Sequence, residues 1–182
     1  SPASGTALQI GDSGDTITIP SGATIVNSGT ATNFGGTTAP YCSVYRSSDL
    51  ALSSATWTTV VFNSENVDSN NAFNTSTGKF TPQVAGQYFV SINIGTGVTG
   101  DNTTENIAAK IIKNTSTVAG AVGTRDWNTS GLNYNDKINT CAIVQLNGSS
   151  DYITAQINIT VSSGTPRVEA SQASMQIFKM TE

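Results

Sequence analysis

The segment YITAQINITV, residues 152–161, alternates without a slip. Ile153, Ala155, Ile157, Ile159 and Val161 fall on one side, and Thr154, Gln156, Asn158 and Thr160 on the other. A period of two is that of a β-strand, whose successive side chains point to opposite faces. CAIVQL, residues 141–146, sets Ala142, Val144 and Leu146 against Cys141, Ile143 and Gln145 in the same way. No stretch sustains the 3.6-residue period of an amphipathic helix. From residue 41 onward the pattern predicts strands over 42–47, 56–63, 71–74, 79–82, 86–95, 105–114, 117–124, 137–147, 151–161 and 172–180. Short strands recurring between turn residues are the mark of a β-sandwich or barrel.

Composition agrees. Thr (27), Ser (22), Asn (17) and Gly (17) dominate the 182 residues, and these types favour turns and polar strand faces over helix. Enough β-branched and aromatic residues remain to build a core, so the reading is an all-β secreted or virion-surface protein rather than a disordered one. The net charge is −4 and no basic run occurs, which argues against nucleic-acid binding. No apolar stretch approaches the ~20 residues of a membrane-spanning helix, so membrane insertion is not expected. The start, Ser-Pro-Ala without Met, reads as a fragment or processed piece.

Histidine is absent, which removes the usual general base and the commonest metal ligand. The two cysteines, Cys42 and Cys141, lie in strand-like runs and read as two buried thiols or as one disulfide between distant strands. With no nucleophile–base pair and no paired-carboxylate cleft, the chain is not expected to be an enzyme.

Residues 1–40 differ from the rest. Fragments such as TITI alternate with Pro-Ser-Gly, Asn-Ser-Gly and Asn-Phe-Gly-Gly turns. Ile17, Ile19, Ile25 and Val26 are too few for an isolated core, so the segment is either a slender β stem wound from three chains or a flexible linker. GDTITIPSGATIVNSGTATNFG resembles the short repeats that precede terminal domains in phage tail fibres.

One passage is heavily specified. Five residues separate Phe62 from Asp68, four Asp68 from Phe73, six Phe73 from Phe80 and five Phe80 from Gly86; Tyr88 follows after one more. The three Phe rings suit a sandwich interior, Gly78 a hairpin turn with positive φ, and Pro82 a strand end. This series resembles the signature of the C1q-like globular head, with Val90 and Ile92 where aromatics are usual. The resemblance spans residues 41–182 and implies a ten-stranded jelly roll of the C1q and tumour-necrosis-factor kind. It also implies a homotrimer that binds proteins or glycans and has no catalytic activity. No Gly-X-Y repeat precedes the head, in contrast to collagen-stalked animal members.

Ligand recognition is expected in loops on such a scaffold. The loop GTRDWNTSGLNYNDK, residues 123–137, presents Arg125, Trp127, Asn128, Asn133, Tyr134 and Asn135, a set suited to sugars because a ring stacks on the pyranose while amides bond its hydroxyls. The alternative is that Trp127 and Tyr134 pack inside the sandwich edge or the trimer. The C1q-like resemblance further implies calcium at the trimer apex, with Asp136 and, given a short insertion, Asp126 as ligands; otherwise both are solvated acids. Asp101 and Glu105 form a second polar turn, and the sequons at Asn74, Asn102, Asn114, Asn128, Asn147 and Asn158 follow from composition. The resulting expectation is a phage tail-fibre receptor-binding protein on the virion surface, attaching the particle to a host surface glycan or protein. A capsid decoration or a secreted C1q-like lectin are the alternatives.

Overall fold

A computed structural model describes residues 14, 16, 18–24, 26, 39–100, 104–126 and 136–181, with no helix among them. The chain divides into two units, Ser1–Gly36 and Thr37–Glu182. In the first, Ala23 N–H donates to Pro20 C=O at 3.1 Å and Gly22 has φ 85°, closing the expected Pro-Ser-Gly turn. Ile19 and Val26 are exposed there, 48% and 83%.

The second unit holds twelve strands: β1 Tyr41–Tyr45, β2 Leu50–Ala51, β3 Thr58–Thr59, β4 Ser64–Asp68, β5 Phe73–Asn74, β6 Lys79–Phe80, β7 Ala85–Thr99, β8 Thr104–Lys113, β9 Ser116–Asp126, β10 Asp136–Asn147, β11 Ile153–Val161 and β12 Thr165–Thr181. One sheet runs β10-β7-β12-β1-β4 with β2 attached to β12; the other runs β5-β6-β11-β8-β9 with β3 attached to β11. Two five-stranded antiparallel sheets face each other, and β2 and β3 are short additions. This is the jelly roll expected from the sequence.

The alternating segments supply the interior. Tyr88, Val90, Ile92 and Ile94 of β7 and Ile153, Ala155, Ile157 and Ile159 of β11 point inward from their two sheets, all at most 1% exposed. Each of the larger side chains contributes roughly 1.5–3 kcal/mol through removal from water. Phe62, Phe73, Phe80 and Tyr88 are buried as their spacing suggested, with Phe80 and Tyr88 in edge-to-face contact at 5.7 Å. The acid in that series has a local task. Asp68 Oδ2 accepts the Phe73 N–H at 2.7 Å and Oδ1 the Asn70 N–H at 3.3 Å, closing the turn between β4 and β5. Gly78 has φ 70°, and a Cβ there would meet the Val60 carbonyl oxygen at 3.1 Å.

Several strands differ from expectation: β2 and β4 lie outside the expected strands, β7 runs on to Thr99 instead of ending at 95, and β12 begins at Thr165 rather than at 172. Of 56–63, only Thr58–Thr59 joins a ladder; Val60 and Phe62 instead drop into the core as the chain crosses between sheets, both 0% exposed. Strand β4, SENVD, shows no alternation because it is an edge strand with its middle three residues exposed. Three sequons are turn devices. Asn74 Oδ1 accepts the Ser76 and Thr77 N–H groups, and Asn147 Oδ1 those of Ser149, Ser150 and Asp151. Asn114 takes φ 57° while its Oδ1 accepts the Tyr152 N–H.

Candidate functional site

The ladders fix which loops share an end. Thr96 pairs with Asp136, Asn106 with Asp126, Thr99 with Thr165 and Val161 with Thr104. The strand ends Thr99, Thr104, Asp126, Asp136, Val161 and Thr165 therefore lie together at one end of the sandwich, the apex. The chain enters β1 nearer the other end, the base, since Tyr41 pairs with Phe178 and Phe178 with Phe89 near the start of β7. Trp127, Asn128, Asn133, Tyr134 and Asn135 lie outside the described residues, as does Asp101.

At the root of the 127–135 loop, Arg125 and Asp136 form an ion pair of 2.6 Å. Asp136 Oδ1 also accepts the Lys137 N–H at 2.7 Å, and the Thr96 hydroxyl donates to the Asp136 carbonyl at 3.2 Å. Thr96 is buried, so the loop root is pinned to β7. The pair brings together two residues singled out in the sequence. It also bears on calcium: one oxygen of the Asp136 carboxylate is engaged by a guanidinium, which repels a divalent cation. Among the described residues no group of three or more His, Cys, Asp or Glu is placed to hold a metal, against the six to eight oxygens calcium takes. Of the two expected ligands, Asp136 has one carboxylate oxygen in the ion pair and the other buried without a partner among the described residues, and the Asp126 side chain lies outside them.

Beside this pair stands a network the sequence did not suggest. Arg167 donates to Thr99 Oγ1 at 2.6 Å and to Glu169 Oε1 at 2.9 Å, and lies 3.2 Å from Asp49 Oδ2. Glu169, 6% exposed, accepts a 2.6 Å hydrogen bond from Gln172 through its other oxygen. Asp49 Oδ1 accepts the Ala170 N–H at 2.8 Å. This cluster ties the 169–172 bulge of β12 over β7, where a Cβ at Gly97 would lie 2.5 Å from Glu169 Oε1 and one at Gly95 2.5 Å from Gln172 Cβ. The signal was present in "GTG" inside a strand and in the sparse charges of a chain only 11% charged.

The outward face of the first sheet is graded from base to apex. Tyr41, Phe178, Phe89 and Ile143 form one row across β1, β12, β7 and β10. Ser43, Gln176, Ser91 and Cys141 form the next, and Tyr45, Ser174, Asn93 and Asn139 the third. The first row is apolar and open to solvent: Tyr41 43%, Phe178 45% and Ile143 56% exposed. The polar rows line shallow depressions of about 440 and 380 Å³. Both cysteines are free thiols; Cys42 is buried as expected, whereas Cys141 is exposed because it sits on the outward side of β10. Burial, then the charges of Asp68 and Glu65, push the Cys42 thiol up to about 12, so it stays protonated and inert.

An all-β sandwich whose described residues carry an exposed apolar row is the build of a recognition head. The chain belongs to the C1q domain family, whose model matches residues 43–154. Among solved structures it is similar to the globular domain of a zebrafish complement 1qA protein (16% identity, TM-score 0.55, covering 80% of this chain and 99% of that one). It is also similar to the Eiger TNF of S. frugiperda (10%, 0.55, 79% and 94%) and to murine APRIL at pH 5.0 (9%, 0.57, 79% and 100%). No curated protein matches the sequence significantly.

Proposed function

We propose that this chain is the terminal attachment piece of a phage tail fibre: a trimeric C1q-like head, joined to a β stem, that binds a host surface glycan or protein through its apex loops. The observation that carries the trimer is the row Tyr41–Phe178–Phe89–Ile143, an apolar stripe on an open sheet face that a second and third copy would cover. The exposed Ile19 and Val26 favour the same assembly for the stem, where strand pairing would be between chains. The fibre assignment is supported by the repeat-like sequence of residues 14–35 and by the absence of a Gly-X-Y stalk between 1 and 40. The apex is the end of the sandwich away from Tyr41. There Arg125, Asp136 and the 127–135 loop form the contact region, and three weak sites acting together supply avidity.

The test is adsorption. The purified chain is added to candidate host cells, alone and in competition with virus, alongside Trp127→Ala and Asp136→Ala variants. The expected result is saturable binding that blocks adsorption and is weakened by either substitution. Failure to bind any host and to compete would defeat the attachment reading. Binding to assembled capsids instead would establish the decoration role, and agglutination of cells without any virus would favour a lectin.

A further inference from the structure

We propose a second ligand site, away from the apex: the outward face of the sheet built from β5, β6, β11, β8 and β9 binds an acidic saccharide. Two cation–aromatic pairs lie along β11. Lys110 Nζ stands 3.9 Å from the centroid of the Trp57 ring, and Lys79 Nζ stands 4.2 Å from that of Tyr152. Register puts both pairs on one face. Ile153, Ala155, Ile157 and Ile159 of β11 point inward, at most 1% exposed, so Tyr152, Gln156 and Asn158 point outward. Lys110 pairs with Gln156, and Thr58 with Ile157, which sets Trp57 beside Asn158. Phe80 pairs with Ile153 and is itself buried, so Lys79 is turned out beside Thr154.

The charge balance points to an anion. The protein carries −4 overall, yet Lys79 and Lys110 have no carboxylate partner among the described residues, whereas Lys113, Arg125 and Arg167 each do. Asp151, at the base end of the face, is already paired with Lys113 at 2.9 Å. Val122, Thr124, Gln156 and Asn158, turned outward around the pairs, include no acid; the nearest register position that carries one is Asp126, opposite Asn106 at the apex end of β9. Trp57 remains 40% exposed with a cation beside its ring.

Such a face suits a sugar chain. A ring edge or face stacks on a pyranose, amides and hydroxyls bond its alcohols, and an ammonium held over the ring meets a carboxylate or sulfate on the same sugar. Lys79 beside Thr154 and Lys110 opposite Gln156 lie two residues apart along β11 and on its two flanks, so their backbone positions are roughly 12 Å apart. The two cations thus address separate charges of an extended polymer rather than one small anion. This site does not depend on the apex reading.

The test uses the full chain and three immobilised polymers: dextran sulfate, polygalacturonate and neutral dextran. Binding is expected to the sulfated polymer, the uronate polymer or both, to weaken with added salt, and to be absent on dextran. Trp57→Ala and the pair Lys79→Gln/Lys110→Gln should each weaken it about tenfold or more, the loss of roughly one aromatic stack or one charge contact. Lys179→Gln, which removes a cation from β12 of the other sheet, should leave it unchanged, and thermal melts confirm that each variant folds. Absence of binding to both acidic polymers, equal binding to dextran, or affinity unmoved in the folded Lys79→Gln/Lys110→Gln chain would each overturn the proposal.

Discussion

Replacing Phe178 by Ser tests the trimer most directly, because the structure separates its cost to the subunit from its cost to the assembly. Within one subunit Phe178 contacts Phe89, ring centroids 5.1 Å apart, and loses about 0.5–1.5 kcal/mol of ring contact on substitution. A domain of this size retains its fold after such a loss. Between subunits the account is larger. Phe178 is 45% exposed, which for a ring burying about 200 Å² leaves ~90 Å² to be covered. At ~25 cal/mol per Å² that is ~2.2 kcal/mol per subunit and ~7 kcal/mol for three. The dissociation constant of a trimer into monomers carries the square of concentration. A change of ~7 kcal/mol, about five decades, therefore raises the midpoint concentration by roughly two and a half decades. Sedimentation velocity over a dilution series reads that midpoint. Any contribution of residues 1–40 is common to both proteins and cancels in the ratio. A shift below about tenfold, or a wild type that is monomeric throughout, refutes the assignment of this row to the interface.

Three further outcomes follow from particular contacts. Gly97→Ala should lower stability by about 2–4 kcal/mol in thermal melts, because the new Cβ displaces the buried Glu169 carboxylate from Arg167; an unchanged melting temperature would mean that the bulge moves freely. Asp151 is held below its ordinary value of 3.8, first by the Asn114 amide and then by Lys113. The carboxylate is thus more acidic in the folded state than in the unfolded one, and its contribution is complete above about pH 4 and lost as pH falls below that value. Asp151→Asn should lower the melting temperature at neutral pH and flatten the acid limb, and an identical acid limb in both proteins counts against the network. Finally, Cys42 should resist maleimide at pH 8 in the native protein and label only after unfolding, since burial keeps its thiol protonated.

The interior was legible because it is written at short range. A two-residue period identifies β7 and β11 from their own sequences, and Phe62 through Tyr88 mark where the two sheets meet. Edges were not. Ser64–Asp68 carries no alternation because both of its faces are wet, and Thr56–Asn63 looks like a strand although most of it is a crossing that plugs the core. The apex pair was half legible: Arg125 and Asp136 were singled out for ligand and ion binding, but that they would bind each other depends on the register of β9 against β8 and of β10 against β7. The Lys110–Trp57 contact joins residues 53 positions apart across an intervening strand. Nothing in either local sequence announces it.

Strand order has a consequence for biosynthesis. Strand β12, Thr165–Thr181, the longest of the twelve and the last in order, lies in the middle of its sheet, between β7 and the first strand, β1. Tyr41 cannot find Phe178 until the intervening residues 42–177 have left the ribosome. A nascent or prematurely terminated product therefore presents two unfilled sheet edges where the centre should be, and has no partial native state in which to wait. Pairings of such long sequence separation form slowly. Chains cut short before this strand are open to proteolysis, so the position of one strand restricts folding of the head to chains that include it.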